Sequence, residues 1–220
     1  MKKELIEFIG TFFLVLVITL SGNPIAIGAV LVAMVYLGGY ISGAHYNPAV
    51  TLAVYLRGKI DKQSALRYMV FQILGATSAS FVSYVITGDA VVPQPSGDIT
   101  FVSIILVEAV FTFALASVFL HVATSRKTAH NQYFGVAMGL VLVASAYAAG
   151  PLSGGVLNPA VAIGTMTVDL SNISVNFSNM VFYVVGSTLG GALAASVYNT
   201  IRPDENTSSD AGHAKKSTIN

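Results

Sequence analysis

Six long apolar stretches, separated by short polar segments, dominate the pattern of hydrophobic and polar positions along the chain. They cover residues 5–20, 25–41, 65–87, 101–122, 133–149 and 177–201. Because about 20 apolar residues are needed to cross a bilayer as a helix, the pattern predicts six transmembrane helices. The first stretch is slightly short and contains Glu7, so its assignment depends partly on the flanking Lys2 and Lys3. The polar residues 202–220 are predicted to form a disordered cytoplasmic tail.

The placement of charge divides the predicted connections into two sets. All 11 Lys and Arg residues fall near the chain ends or in two connections, residues 57–67 and 126–127, and six crossings bring these segments to one side. The opposite connections contain Asp89, Asp98 and Asp169 but no cation. By the positive-inside rule, the cationic side is cytoplasmic. The sequence therefore predicts a multi-pass protein of the cell membrane with both termini in the cytoplasm.

The composition indicates a chain that uses the lipid bilayer as its main solvent. Hydrophobic residues make up 54% and charged residues 10% of the sequence, whereas a soluble domain carries about 25% charged residues. These values exclude an intrinsically disordered chain, a basic nucleic-acid-binding protein and an ordinary cytosolic enzyme. Cysteine is absent, which excludes disulfides and thiol nucleophiles. With no catalytic constellation or metal cluster visible, the sequence predicts no enzyme activity, no cofactor and no metal.

Two copies of one motif indicate an internal repeat. Residues 42–50 and 153–161 are identical at six of nine positions and share Ser-Gly and Asn-Pro-Ala-Val. Two further pairs occur in the same order, namely Glu7/Thr11/Phe12 with Glu108/Thr112/Phe113, and Tyr68/Gly75 with Tyr183/Gly190. Because each half has three helices, the second half enters from the opposite side, which predicts an inverted 3+3 repeat. We expect a single channel domain of residues 1–201, with repeats of about 1–87 and 100–201.

Each Asn-Pro-Ala copy is predicted to begin a re-entrant half-helix. Asn is favoured as an N-cap and Pro at the first helical position, and the apolar residues 50–56 and 161–168 are too short to span a bilayer. The copies Asn47-Pro48-Ala49 and Asn158-Pro159-Ala160 are then expected to meet near the midplane. Each helix N-terminus carries about half a positive charge, which repels cations. The two Asn amides can orient a passing hydroxyl or water oxygen.

These motifs resemble those of the major intrinsic protein family, the aquaporins and aquaglyceroporins. The resemblance includes both Asn-Pro-Ala copies, residues 7–12 and residues 150–154, and covers residues 4 to about 201. It implies six helices, two half-helices and a homotetramer with one pore per subunit. It also implies a passive channel for water and small neutral solutes such as glycerol, rather than a reaction.

The predicted outer selectivity filter departs from the usual pattern of that family. Most members carry Arg directly after the second Asn-Pro-Ala, where this chain has Val161. Counting from the two copies maps the other filter positions to Ile27, Ala146 and Gly155. The filter is therefore expected to be apolar, uncharged and wide, which favours a neutral solute with a carbon backbone. An ion-leaky pore and a non-conducting membrane scaffold of the same fold remain as alternatives.

Three polar residues are predicted to brace the re-entrant loops. Intramembrane carboxylates such as Glu7 and Glu108 are energetically expensive and usually functional. Because no chain of Lys or His is present to form a proton relay, we expect them to accept hydrogen bonds from loop N–H groups, as the resemblance also implies. For His45, a loop-bracing hydrogen bond is favoured over a metal ligand or a proton-driven gate.

Overall fold

The structure, a computed structural model, describes residues 1–169 and 172–203. Over these residues it contains eight α-helices and no strand, which confirms the predicted all-α fold. The helices are α1 (Lys2–Ser21), α2 (Pro24–Gly38), α3 (Pro48–Leu56), α4 (Lys62–Thr87), α5 (Phe101–Phe119), α6 (Phe134–Ser153), α7 (Pro159–Met166) and α8 (Ile173–Ile201). The short helices α3 and α7 lie where the sequence predicts the two half-helices. Of the predicted tail, residues 204–220 lie outside the described residues.

Five of the described helices are long and apolar enough to cross a bilayer, namely α1, α4, α5 with the turn that follows it, α6 and α8. The sixth crossing, α2, has 15 residues and ends at Gly38, before the predicted end at residue 41. Two consecutive glycines, Gly38 and Gly39, lower the helix propensity at this point. Hydrogen bonds continue as turns, from Gly39 N to Val35 O and from Gly43 N to Gly39 O, while the chain enters the first re-entrant loop.

Two other helices, α6 and α8, extend beyond the apolar stretches that predicted them. Helix α6 continues past residue 149 and through Pro151 to Ser153. Helix α8 begins at Ile173, four residues before the predicted start. Its first turns contain polar side chains, and Asn176 Nδ2 donates to Asp169 Oδ2 at 3.0 Å. These polar groups are used in local contacts, so they extend the helix without extending the apolar pattern.

Helix packing follows the predicted inverted repeat. Helix α1 packs against α4, and the equivalent α5 packs against α8. At both contacts a glycine permits close approach, because a Cβ atom at Gly75 would lie 2.5 Å from Phe8 O and one at Gly190 would lie 2.3 Å from Ala109 O. The half-helices cross over between the repeats, since α3 packs against α8 and α7 packs against α4. Each half-helix is thus held by a helix of the other repeat.

Contacts between helix ends define two faces of the molecule. The Arg67 guanidinium pairs with Glu4 at 3.1 Å, which joins the starts of α1 and α4. Asn199 Nδ2 donates to Leu56 O at 3.2 Å, and Arg57 lies over the Tyr198 ring, which joins the ends of α3 and α8. We call this the basic face, because the described Lys and Arg residues lie at these helix ends and in the connection between α5 and α6. The connection between α4 and α5 lies on the opposite face.

Between the two faces, the outer surface of the helices is apolar. Val85, Leu106 and Leu140 are 66%, 61% and 63% exposed and belong to three different helices. An exposed apolar surface of this kind is not stable in water and is typical of contact with lipid tails. The fold therefore places its polar groups at the two faces and in its interior.

Candidate functional site

Glu7 of α1 lies fully buried beside the first re-entrant loop and accepts four hydrogen bonds. Its Oε1 atom accepts from Ser42 Oγ at 2.6 Å and from His45 N at 3.0 Å. Its Oε2 atom accepts from Tyr46 N and from Gln72 Nε2, each at 2.7 Å. One carboxylate therefore serves two backbone N–H groups of a loop that has no secondary structure to satisfy them.

Glu108 of α5 makes the equivalent contacts in the second repeat. Its Oε1 atom accepts from Ser153 Oγ at 2.7 Å and from Val156 N at 3.0 Å, and its Oε2 atom accepts from Leu157 N at 2.6 Å. The tyrosine pair singled out in the sequence also acts on the loops: Tyr68 Oη donates to Ser42 O, and Tyr183 Oη donates to Ser153 O. The two loops are thus held by matching sets of side chains.

The hydrogen bonds to the carboxylates support an unfavourable backbone. Ala44, Tyr46 and Leu157 have φ values of 54°, 50° and 52°, a left-handed conformation that costs a residue with a Cβ atom roughly 1–2 kcal/mol. The N–H groups of Tyr46 and Leu157 are among those that the carboxylates accept. In this conformation the carbonyl groups of Tyr46 and Leu157 accept hydrogen bonds from side-chain amides instead of from helical N–H groups.

The two Asn residues cap their own half-helices and also hold each other's loop. Asn47 Oδ1 accepts from Ala49 N at 2.8 Å, and Asn158 Oδ1 accepts from Ala160 N at 2.9 Å. Asn47 Nδ2 donates to Leu157 O at 2.8 Å, while Asn158 Nδ2 donates to Tyr46 O at 3.0 Å. Each amide has a second N–H group that remains available for a solute oxygen. The half-helix N-termini therefore converge on one location.

A cavity of about 250 Å³ passes this location. Both Asn residues line it together with all four predicted filter positions, Ile27, Ala146, Gly155 and Val161. Most of the other lining side chains are aliphatic, so the two Asn amides and His45 are the main polar side chains that a solute finds there. His45 lines this cavity and also a second one of about 670 Å³ that opens at the basic face. The two cavities adjoin at His45 and indicate a path between the faces.

The site contains contributors that the sequence interpretation missed. Gln72 of α4 is fully buried and links two networks, since Nε2 donates both to Glu7 and, at 2.9 Å, to Thr51 Oγ1. Thr51 Oγ1 in turn lies 3.1 Å from His45 Nδ1. Gln72 is the one polar residue in the otherwise apolar run 69–76, one turn after Tyr68, and this was the available signal. Residues 91–93, interpreted only as part of a connection, line the 250 Å³ cavity and had no such signal.

The described residues offer no evident place for a resident metal. Among them, no group of three or more His, Cys, Asp or Glu side chains is arranged to hold a metal ion. His45 instead makes the contact with Thr51 and packs edge-on against Tyr68 and Phe119. These contacts hold the first re-entrant loop, to which His45 belongs, against α3, α4 and α5.

Replacing Asn158 with Asp is expected to raise cation permeability about tenfold, which corresponds to a barrier lowered by about 1.4 kcal/mol. Asp is as good an N-cap as Asn, so the bond from Ala160 N can persist. The change removes the amide donor and adds a negative charge where two positive helix ends converge. Proteoliposomes under a potassium gradient measure the effect, with the surface variant Gln132→Glu as the control. Unchanged cation flux in Asn158→Asp would show that this residue does not face the path.

Comparison with known proteins places this geometry in a family context. The sequence model of the major intrinsic protein family matches residues 1–198. Aquaporin NIP1-4 of Oryza sativa subsp. japonica is 35% identical over 218 residues, which cover 92% of this chain and 77% of that relative. Glycerol uptake facilitator protein-like 6 of Lactiplantibacillus plantarum is 34% identical over 215 residues, which cover 89% of this chain and 95% of that relative.

A solved structure shares the fold. The X-ray structure of the aquaglyceroporin from Plasmodium falciparum matches with a TM-score of 0.80 over 93% of this chain and 98% of that chain. The sequence identity is 19%, so this similarity concerns the fold alone. The sequence relatives, in contrast, are similar enough over enough of the chain to indicate common family membership.

Proposed function

Because the chain belongs to the major intrinsic protein family, whose members are channels for water or small solutes, we propose that it is a passive channel for small neutral solutes such as glycerol, as well as water. Membership makes it a multi-pass membrane protein and a channel rather than an enzyme. Which solutes pass depends on the residues that line the outer part of the 250 Å³ cavity.

The observation that carries the proposal is the absence of a cation from the filter. Ile27, Ala146, Gly155 and Val161 line one cavity with the two Asn residues, and no Lys or Arg occurs among the described residues that line it. An aliphatic wall offers few hydrogen bonds to water in exchange for those that water loses on entry. A polyol presents a carbon backbone to that wall and keeps its hydroxyl groups for the amides of Asn47 and Asn158.

The small residues that α6 contributes to the cavity wall are an argument for a wide filter. Ala146 and Gly150 lie one turn apart and both line the cavity. A Cβ atom at Gly150 would have no heavy atom within 4 Å, so the space beside this helix is open. We take this open space to admit a solute wider than water, in agreement with the name of the bacterial relative, glycerol uptake facilitator protein-like 6.

The barrier to cations is assigned to the midplane. With no filter cation, repulsion depends on the two half-helix N-termini, each with about half a positive charge. Asn47 and Asn158 place these ends at the same position along the path. In this low-dielectric interior their field is poorly screened, so it acts on any cation that leaves bulk water.

We further propose the assembly and orientation that the sequence predicts. The basic face lies in the cytoplasm of a cell that carries the protein in its cell membrane, in accordance with the positive-inside rule. The apolar outer surface serves contact with lipid and with three further copies in a homotetramer, each subunit having its own pore. Neither a cofactor nor a nucleic-acid partner is part of the proposal.

Reconstitution in liposomes separates this function from its two rivals. We expect shrinkage in sucrose to be faster than in protein-free liposomes, while an imposed proton gradient persists. Rapid collapse of the internal pH would identify an ion-leaky pore. Shrinkage and glycerol entry no faster than in protein-free liposomes would identify a non-conducting scaffold and contradict the proposed function.

A further inference from the structure

The connection between α4 and α5 contributes a wall to the outer end of the cavity. Val91, Val92 and Pro93 line it on the face opposite the basic face, together with the filter positions Gly155 and Val161. We call residues 91–96 the outer segment. Unlike the helices around it, the outer segment has no regular secondary structure, and a turn at residues 97–98 follows it. It nevertheless reaches the path that solutes take.

Side-chain contacts with distant helices hold the outer segment in place. Gln94 Nε2 donates to Asn176 Oδ1 at 3.2 Å, and Gln94 Oε1 accepts from Asn179 Nδ2 at 2.9 Å. The backbone N–H group of Ser96 donates to Leu152 O at 2.9 Å. The segment is thus attached to the start of α8 on one side and to the end of α6 on the other.

Gly154 permits the outer segment to lie directly on the second re-entrant loop. A Cβ atom at this position would lie 3.2 Å from Gln94 O and 2.9 Å from Tyr183 Oη, so a residue with a side chain would crowd both Tyr183 and the backbone of the outer segment. Gly154 also has a φ value of 97°, which favours glycine independently. The outer segment, the loop that carries Gly155 and helix α8 therefore form one packed unit.

We propose that the outer segment is a specificity-determining wall that sets the upper size of the neutral solutes admitted. Of the four mapped filter positions, only Ile27 carries a large side chain, whereas Ala146, Gly155 and Val161 are small. Val91, Val92 and Pro93 line the same cavity and add aliphatic bulk to its outer end. Gln94 acts as a positioning residue, because it holds these three residues without lining the cavity itself. This inference rests on the proposed function, since it concerns the size limit of that same channel.

The test compares a polyol larger than glycerol with water in proteoliposomes. In the double variant Val91→Ala/Val92→Ala, the ratio of erythritol to water permeability is expected to rise about tenfold, which is the lower end of what methylene-sized changes contribute in a fitted pocket. Gln94→Ala should raise the ratio in the same direction. Gln94→Glu keeps an acceptor for Asn179 but loses the donor to Asn176, so its ratio should fall between those of wild type and Gln94→Ala.

A narrowing variant and a matched control keep the inference testable if a widened variant folds poorly. Val92→Phe is expected to lower glycerol permeability more than water permeability. Val102→Phe makes the same change on α5 at a position that is 58% exposed on the outer surface, and it should alter neither.

Different results would overturn the inference about the outer segment and the proposed channel function. If the wild-type protein conducts while both Val91→Ala/Val92→Ala and Val92→Phe keep the wild-type permeability ratios, the outer segment does not set the size limit and only this inference is overturned. If the wild-type protein conducts neither water nor glycerol, the proposed function fails and the inference fails with it.

Discussion

Replacing Glu7 with Leu is expected to abolish the folded channel. The change leaves four buried donors without their acceptor: Ser42 Oγ, His45 N, Tyr46 N and Gln72 Nε2. At about 1–3 kcal/mol for each unsatisfied donor, the loss is comparable to the whole stability of a typical domain, about 5–15 kcal/mol. It also removes the support for a strained residue, Tyr46. Thermal unfolding of the detergent-purified protein measures the effect, and we expect no cooperative transition.

Two further variants separate the hydrogen bonds of Glu7 from the general effect of losing a carboxylate. Glu7→Gln preserves side-chain volume and one acceptor oxygen, so we expect a smaller decrease in unfolding temperature. Glu4→Gln removes a carboxylate from the same helix, but the partner of Glu4, Arg67, is half exposed. An ion pair of this kind contributes about 0–1 kcal/mol, so the unfolding temperature of Glu4→Gln should stay close to that of the wild type. A cooperative transition for Glu7→Leu at the wild-type temperature would show that the first loop does not depend on this carboxylate.

Val161→Arg is expected to lower the ratio of glycerol to water permeability about tenfold or more. A loss of this size is expected when a fitted pocket loses space. Val161 lies in the first turn of α7 and lines the cavity. A longer side chain there occupies the open space beside Ala146 and Gly150. The guanidinium adds five N–H donors, which serve water better than a carbon backbone, and its charge repels cations. Stopped-flow light scattering of proteoliposomes measures both permeabilities.

Val161→Leu provides the control that separates size from charge. It adds volume without donors, so glycerol permeability should fall less than in Val161→Arg and the cation leak should be unchanged. Equal decreases of glycerol and water permeability in Val161→Arg would contradict the filter map. In that case position 161 would restrict the path for every solute rather than select among them.

The extent to which the site was predictable from the sequence depends on whether a residue belongs to the repeat. Glu7 and Glu108, Tyr68 and Tyr183, and the two Asn-Pro-Ala copies each occur twice, and duplication made them visible. The structure gives each member of a pair an equivalent contact. Hydrophobic length located the crossings, because a bilayer requires a fixed number of apolar residues.

Features that occur once were not predictable in the same way. Within the part of the chain that the structure describes, no side-chain amide donates to Glu108 as Gln72 does to Glu7, and Glu7 is 65 residues away from Gln72 in sequence. The outer segment is held by contacts from Gln94 to Asn176 and Asn179, 82 and 85 residues away. Its shape therefore depends on tertiary contacts rather than on its own residues. The end of α2 and the start of α8 also depend on local hydrogen bonds that the apolar pattern does not contain.

Glycerol entry into proteoliposomes tests the central claim, that a cation-free apolar filter admits a neutral solute with a carbon backbone. The measurement is the rate of re-swelling after an inward glycerol gradient, compared with that of protein-free liposomes of the same lipid. We predict re-swelling well above the protein-free rate while an imposed pH difference is maintained. Fast osmotic water flux with glycerol entry no faster than through lipid alone would contradict the claim, because the filter would then exclude the solute class for which its lining is suited.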